Sequence, residues 1–330
     1  MSLKSLIARL PYPSRPLQLT IGLAAVVTQA GIGVTGSVVR VTGSGLGCST
    51  WPQCQPGSMV PVYHANYRVL NEWVEFGNRL FTGGVFAVAV LAMLAAWRIR
   101  IDQPHRRRLL ALAWTLPGGV VLQAVLGGIT VLAKLQWWTV AIHFLASTPL
   151  VWLAVLLLHA FGEGDEKPRR LISPVAHKLL VALVVAMWAI LVAGTTVTGA
   201  GPHGGDPDTK RLDAPIQTLV QVHSGLLMAY LLILAVFGLT LFRGGAPARV
   251  WRRYGIVWAV AVAQGILGSV QYALGVPEVL VSFHVLGSAL VIISTATLWC
   301  AARDRGPVVG AAPRPTPELT TSGSRGVTPA

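Results

Sequence analysis

Apolar residues gather into eight long runs parted by short polar breaks, at about 17–38, 71–97, 109–132, 138–161, 177–197, 215–242, 253–273 and 278–301. Each run is about as long as a helix needs to be to cross a bilayer, roughly 20 residues. The pattern predicts an all-α integral membrane protein with eight transmembrane helices. It also repeats. Residues 123–147 (QAVLGGITVLAKLQWWTVAIHFLAS) align without a gap on 264–288 (QGILGSVQYALGVPEVLVSFHVLGS), so that Gln123 meets Gln264, Gly127 meets Gly268 and His143 meets His284. VTGSG at 41–45 is echoed by VTGAG at 197–201, and Asn78 falls roughly where His223 falls. Self-similarity at this scale means two like units. Here they are four-helix bundles, 17–161 and 177–301. An even number of helices per half returns the chain to its starting side, so the two are expected as parallel repeats. Residues 1–16 read as a polar N-terminus and 162–176 (GEGDEKPRRLISPVA) as the charged linker. Residues 302–330, rich in Pro, Gly, Ser and Thr, read as a disordered tail.

Composition agrees. Hydrophobic residues make up 53% of the chain and charged residues 12%, about half the charged share of a soluble domain. The net charge of +14 does not point to nucleic acid, because the bases flank the apolar runs. Most of the 26 Lys and Arg lie in the N-terminus, the loops after the second, fourth and sixth runs, and the tail. The opposite loops hold Arg40, Arg68, Lys134, Lys210 and Arg211. The positive-inside rule then places both termini in the cytoplasm and the 40–70 loop outside. The N-terminus has the basic start of a signal peptide, but its apolar run continues past residue 35 with no A-x-A-like site, so a retained first helix is expected. Trp137 and Trp138 suit an aromatic belt.

The candidate chemistry lies near the outer ends of the runs. His143, His223 and His284 sit five to eight residues past those ends, about 7–12 Å deep at 1.5 Å rise per residue, and Asn78 is at the same depth. Histidine within a bilayer is costly and usually faces the bundle interior as a ligand or relay. Two imidazoles at matched depth suit one metal or a haem iron. Zinc would want further polar ligands, and none lies close in sequence, so haem fits better. His64, His105, His159, His177 and His203 read as interfacial. Glu75 and Arg79 share a helix face at i, i+4. They read either as an intrahelical ion pair or as a carboxyl tuned for acid–base work. Arg79 and Arg40 alternatively meet anionic haem propionates. Cys48 and Cys54 share an exported loop, where an oxidising compartment favours a disulfide, and Cys300 lies at the far end of the last run.

Together, RVTGSGLGCSTWPQC in the outer loop, E-x-x-x-R on the second run, the histidines on the fourth, sixth and eighth runs and the 4+4 repeat resemble the heme A synthase family over about residues 17–300. The resemblance implies an oxidoreductase that turns the C8 methyl of heme O into a formyl group, giving heme A for terminal oxidases. It implies a haem b cofactor on His223 and His284, and heme O in the N-terminal half with His143 as iron ligand. By the same resemblance Glu75 is a catalytic carboxyl and Cys48–Cys54 the loop disulfide. It further implies a bacterial-type inner membrane, with heme O synthase and oxidase assembly factors as partners and an oligomer as an open expectation. One position departs: where the family pattern has histidine in E-x-x-H-R, this chain has Asn78. An amide binds iron poorly, so His143 is expected to bind alone or with a water oriented by Asn78. The rival reading is a di-haem b-type cytochrome that only moves electrons; a transporter, with polar residues at mid-membrane, fits less well.

Overall fold

A computed structural model describes residues 2–62 and 68–308. His64 and the tail from residue 309 lie outside the described residues. The described chain forms α1 (Leu3–Ala8), α2 (Arg15–Val41), α3 (Val69–Asp102), α4 (Arg107–Leu132), α5 (Trp137–Ala160), β1 (Arg169–Arg170), α6 (Pro174–Ala200), α7 (Ile216–Arg243), α8 (Ala248–Ala273), α9 (Glu278–Ala301) and β2 (Arg303–Asp304). The eight helices α2 to α9 are long and apolar enough to cross a membrane, one for each predicted run. Their outward faces carry large apolar side chains such as Leu23, Leu80, Val185 and Leu232, the last 67% exposed. Apolar surface of that extent belongs against lipid, and the protein is a multi-pass membrane protein.

Several helices outrun their apolar stretches. α3 continues to Asp102 because Arg98 pairs with Asp102 at 2.8 Å and donates to the Leu10 carbonyl. Ser14 and Ser173 cap α2 and α6 through their side-chain oxygens, each followed by a proline in the first turn.

The helices close into two rings with the same order of neighbours. α2 packs on α3 and α5, and α4 on α3 and α5; α6 packs on α7 and α9, and α8 on α7 and α9. Helices α3 and α5 are thus diagonal in one ring, and α7 and α9 in the other. Each ring has its own apolar core, and Trp152 and Ile293 pack against both. α2, α5 and α9 form the seam between the rings.

The gap-free repeat reappears in the turns that join α4 to α5 and α8 to α9. Lys134 and Leu135 (φ 54° each) are matched by Gly275 and Val276 (φ 76° and 63°), all left-handed. The Leu135 amide donates to the Thr130 carbonyl at 2.9 Å, and the equivalent Val276 amide to Gln271 at 2.8 Å. These are six-to-one helix caps of the Schellman type, met at the same positions by unlike side chains.

The ends of the chain depart from expectation. Residues 1–16 hold the short helix α1, which buries Ile7 against α3. Of the tail, expected disordered from 302, residues 302–306 are held by backbone contacts. β2 pairs antiparallel with β1, the Leu171 amide donates to Ala302, and Gly164 to Gly306. Composition alone hid this, because the partner lies in the linker more than a hundred residues earlier. Arg106, legible only as a flanking base, is fully buried. It donates to the carbonyls of Ala160 and Glu163, with Asp165 at 3.5 Å. Burial pushes its guanidinium below the ordinary value, opposed by Asp165.

Candidate functional site

The 40–62 loop is built around one ion pair on α3. Glu75 and Arg79 meet at 2.6 Å, one helical turn apart. The second carboxylate oxygen of Glu75 accepts the Cys48 amide at 2.6 Å. Arg79 reaches further, donating to the carbonyls of Cys48, Thr50 and Gln53 at 2.9–3.1 Å. A guanidinium presents its donors in a rigid fork, which suits a cluster of carbonyls. Cys48 and Cys54 are joined in a disulfide, both sulfurs buried beneath this pair, whereas Cys300 is free at the other end of the bundle. The pair therefore does more than neutralise itself: it fixes the disulfide loop over one mouth of the first ring. Glu72, one turn earlier, is also buried, and its Oε1 has no hydrogen-bond partner among the described residues. Its i, i+3 spacing from Glu75 is the signal that sequence reasoning passed over.

Asn78 lies on the same face as Glu75, and its side-chain oxygen accepts the Thr35 hydroxyl at 2.7 Å. His143 stands on α5, diagonal to Asn78 across the first ring. Its Nδ1 is buried without a hydrogen-bond partner among the described residues.

In the second ring the diagonal helices bring two histidines together, their planes tilted by 59°. The ring centroids of His223 and His284 are 6.4 Å apart. Two metal–imidazole bonds of about 2 Å each, with the rings' own radii, span about 6 Å, close to that separation. His223 Nδ1 donates to the Ile190 carbonyl at 3.1 Å, which fixes the tautomer and leaves the Nε2 lone pair free. Gln264, the residue that opens the repeat, donates to the His284 carbonyl at 2.8 Å. Each ring also rests on a glycine of the preceding helix. A Cβ at Gly127, Gly194 or Gly268 would approach a ring carbon of His143, His223 or His284 to 3.3, 3.1 and 2.9 Å. Alanine normally stabilises a helix by up to about 1 kcal/mol over glycine. Gly225→Ala, which meets nothing within 4 Å, is expected to raise the melting temperature. Gly268→Ala is expected to lower it, because His284 must move; equal shifts in a thermal melt would show that the glycine is not there for the ring.

Arg40 is turned elsewhere. It donates to the carbonyls of His203 and Pro202, while His203 Nε2 donates to the Val276 carbonyl at 2.8 Å and Gly45 N to Gly205 O at 2.8 Å. These bonds sew loops at that end of the two rings together. His177 lies beside Trp299 and His159 beside Glu163.

Eight apolar helices, a disulfide loop clamped by a buried ion pair, and imidazoles facing across diagonal helices define a multi-pass helical membrane protein with its polar chemistry at one end. The chain belongs to the COX15-CtaA family, the cytochrome oxidase assembly proteins, whose model matches residues 19–203. That stretch holds Glu75, Asn78, Arg79 and His143; His223 and His284 lie beyond it. The chain is similar to the heme A synthase of Shouchella clausii, 29% identical over 153 residues that cover 46% of this chain and 48% of that protein. It is similar to that of Symbiobacterium thermophilum, 32% over 171 residues, covering 51% and 52%. For the heme A synthase of Bacillus licheniformis the identity is 27% over 181 residues, covering 54% and 57%. The chain thus spans about half the length of the curated relatives it matches.

Proposed function

We propose that the protein is a heme A synthase, a membrane oxidoreductase that converts the C8 methyl of heme O to a formyl group and so serves terminal-oxidase assembly. The observation that carries this reading is the pair His223–His284, spaced for one iron, beside a family-matched half whose own histidine has no such partner. In this reading His223 and His284 hold a haem b. When bound, it supplies one-electron redox chemistry. The Ile190 carbonyl orients His223, and Gln264 holds the backbone of His284.

The N-terminal ring takes heme O as substrate, with His143 as the protein ligand. Asn78 already accepts from Thr35, and its remaining NH2 is a donor that cannot bind iron. That supports His143 as the only protein ligand and would leave the Asn78 side open to water. Glu75 lies on that side and handles protons there. Methyl to formyl is a four-electron oxidation, and each hydroxylation has protons to move. Arg79 holds Glu75 and the disulfide loop in place; Arg40, bound to the 202–203 carbonyls, acts on the substrate through the loops it joins. The two halves are read as parallel repeats, with both termini on the cytoplasmic face of a bacterial-type inner membrane. Heme O synthase and oxidase assembly factors are its expected partners.

The test is to express the protein with a supply of heme O and extract the porphyrins in acid. A formyl porphyrin is expected. Recovery of heme O and haem b alone would favour a cytochrome that only moves electrons.

A further inference from the structure

At the basic end of the bundle, opposite the histidines, a cavity of about 510 Å³ opens between α2, α5 and α9 at the seam of the two rings. Its walls are apolar, with Leu19 and Leu23 of α2 and Ile293 of α9. Leu19 and Leu23 are 43% and 55% exposed, so the cavity is open sideways, toward lipid. Its mouth is charged. Arg15 enters from α2 and Arg253 from α8, in the other ring, beside His159 and Glu163. Arg15 Nη1 is committed to the Phe161 carbonyl and Gln18. Its Nη2 lies against Gly162, where a Cβ would come within 2.4 Å, and has no hydrogen bond among the described residues. Arg253 makes no hydrogen bond or ion pair among the described residues. Glu163 is already answered by Arg108 at 3.3 Å.

A metal cation is the first alternative, because ligand atoms of His159, Glu163 and Cys300 lie within 4.8 Å of one another. They are hemmed by guanidinium groups: Arg303 lies 3.7 Å from the Cys300 sulfur, and Arg108 pairs with Glu163. Positive charge already stands where the cation would sit. The unanswered groups at the mouth are both arginines, and what they lack is an anion. An anion at headgroup depth above an apolar slot open to the bilayer is an amphiphile, and basic pockets between helices at the cytoplasmic side are a recurrent lipid site.

We propose that this cavity binds one anionic phospholipid, its phosphate bracketed by Arg15 and Arg253 and one acyl chain lying along Leu19, Leu23 and Ile293. Because α2, α5 and α9 form the seam, the lipid would bridge the two rings. The test uses the full-length protein in mild detergent and native mass spectrometry with added phosphatidylglycerol, cardiolipin or phosphatidylcholine. One anionic lipid is expected to remain bound, with phosphatidylcholine at least about fivefold weaker, the worth of one arginine at a membrane surface. Arg253→Gln disturbs no described partner and should weaken phosphatidylglycerol about fivefold. Leu23→Trp should exclude the acyl chain while leaving the charge unchanged. Equal retention of phosphatidylcholine and phosphatidylglycerol would overturn the proposal. So would unchanged retention in both variants, or displacement of the lipid by added haem, which would assign the mouth to porphyrin carboxylates.

Discussion

Replacing His223 or His284 with Ala is expected to remove the six-coordinate, low-spin haem spectrum from the purified protein. The two ring centroids lie 6.4 Å apart across diagonal helices, and in the proposed reading each imidazole would hold the iron. Losing a group that merely orients a ligand typically costs 10–100-fold in metal affinity. Losing the ligand itself should cost at least that much, so haem retained per protein should fall by more than about tenfold. His143→Ala should leave this spectrum intact and remove heme O instead, because His143 stands in the other ring. The two effects are separable by extracting the porphyrins after each change. A low-spin spectrum that survives both His223→Ala and His284→Ala would end the assignment.

Arg79→Ala is expected to be the most destabilising single change among the residues that hold the disulfide loop. It strips the partner from Glu75, which is 5% exposed, and removes the donors to the Cys48, Thr50 and Gln53 carbonyls. Breaking a buried pair by removing one member costs about 3–5 kcal/mol, because the remaining charge stays buried. Arg79 is itself 22% exposed, so the lower end of that range is expected. Arg79→Lys should not rescue it, since one ammonium cannot span carbonyls that the guanidinium fork reaches together. A thermal melt and the rate at which a mild reductant opens Cys48–Cys54 would report both effects. An unchanged melt with an equally protected disulfide would refute the clamp. Glu75→Gln separates holding from chemistry. It keeps the shape and one acceptor for the Cys48 amide, so heme O binding should persist while formyl porphyrin disappears at every pH. Retained product with an altered pH profile would instead make Glu75 a positioning residue.

The Glu75–Arg79 pair also marks how far the sequence can be read. Its i, i+4 spacing made the ion pair legible, because both residues lie on one helix and the helix fixes their distance. The reach of Arg79 to the loop was not legible, because nothing in the spacing says which carbonyls fold back over that turn. The same division runs through the chain. The eight spans could be read directly, since lipid leaves the backbone no partner but itself, and a long apolar run must then be helical. So could the gap-free repeat, which depends on order along the chain alone.

Tertiary structure decided which helices are diagonal, and only that placed His223 opposite His284. It paired Asn78 with Thr35 and turned Arg40 toward the 202–203 loop of the other half. It buried Arg106 beneath the linker and paired the tail with residues 169–170. Each of these joins groups far apart in sequence, where a base or an amide reads the same whether it faces water, lipid or a carbonyl. The sequence sets the inventory of such groups and their depth in the bilayer; which donor meets which acceptor depends on how the helices close into rings.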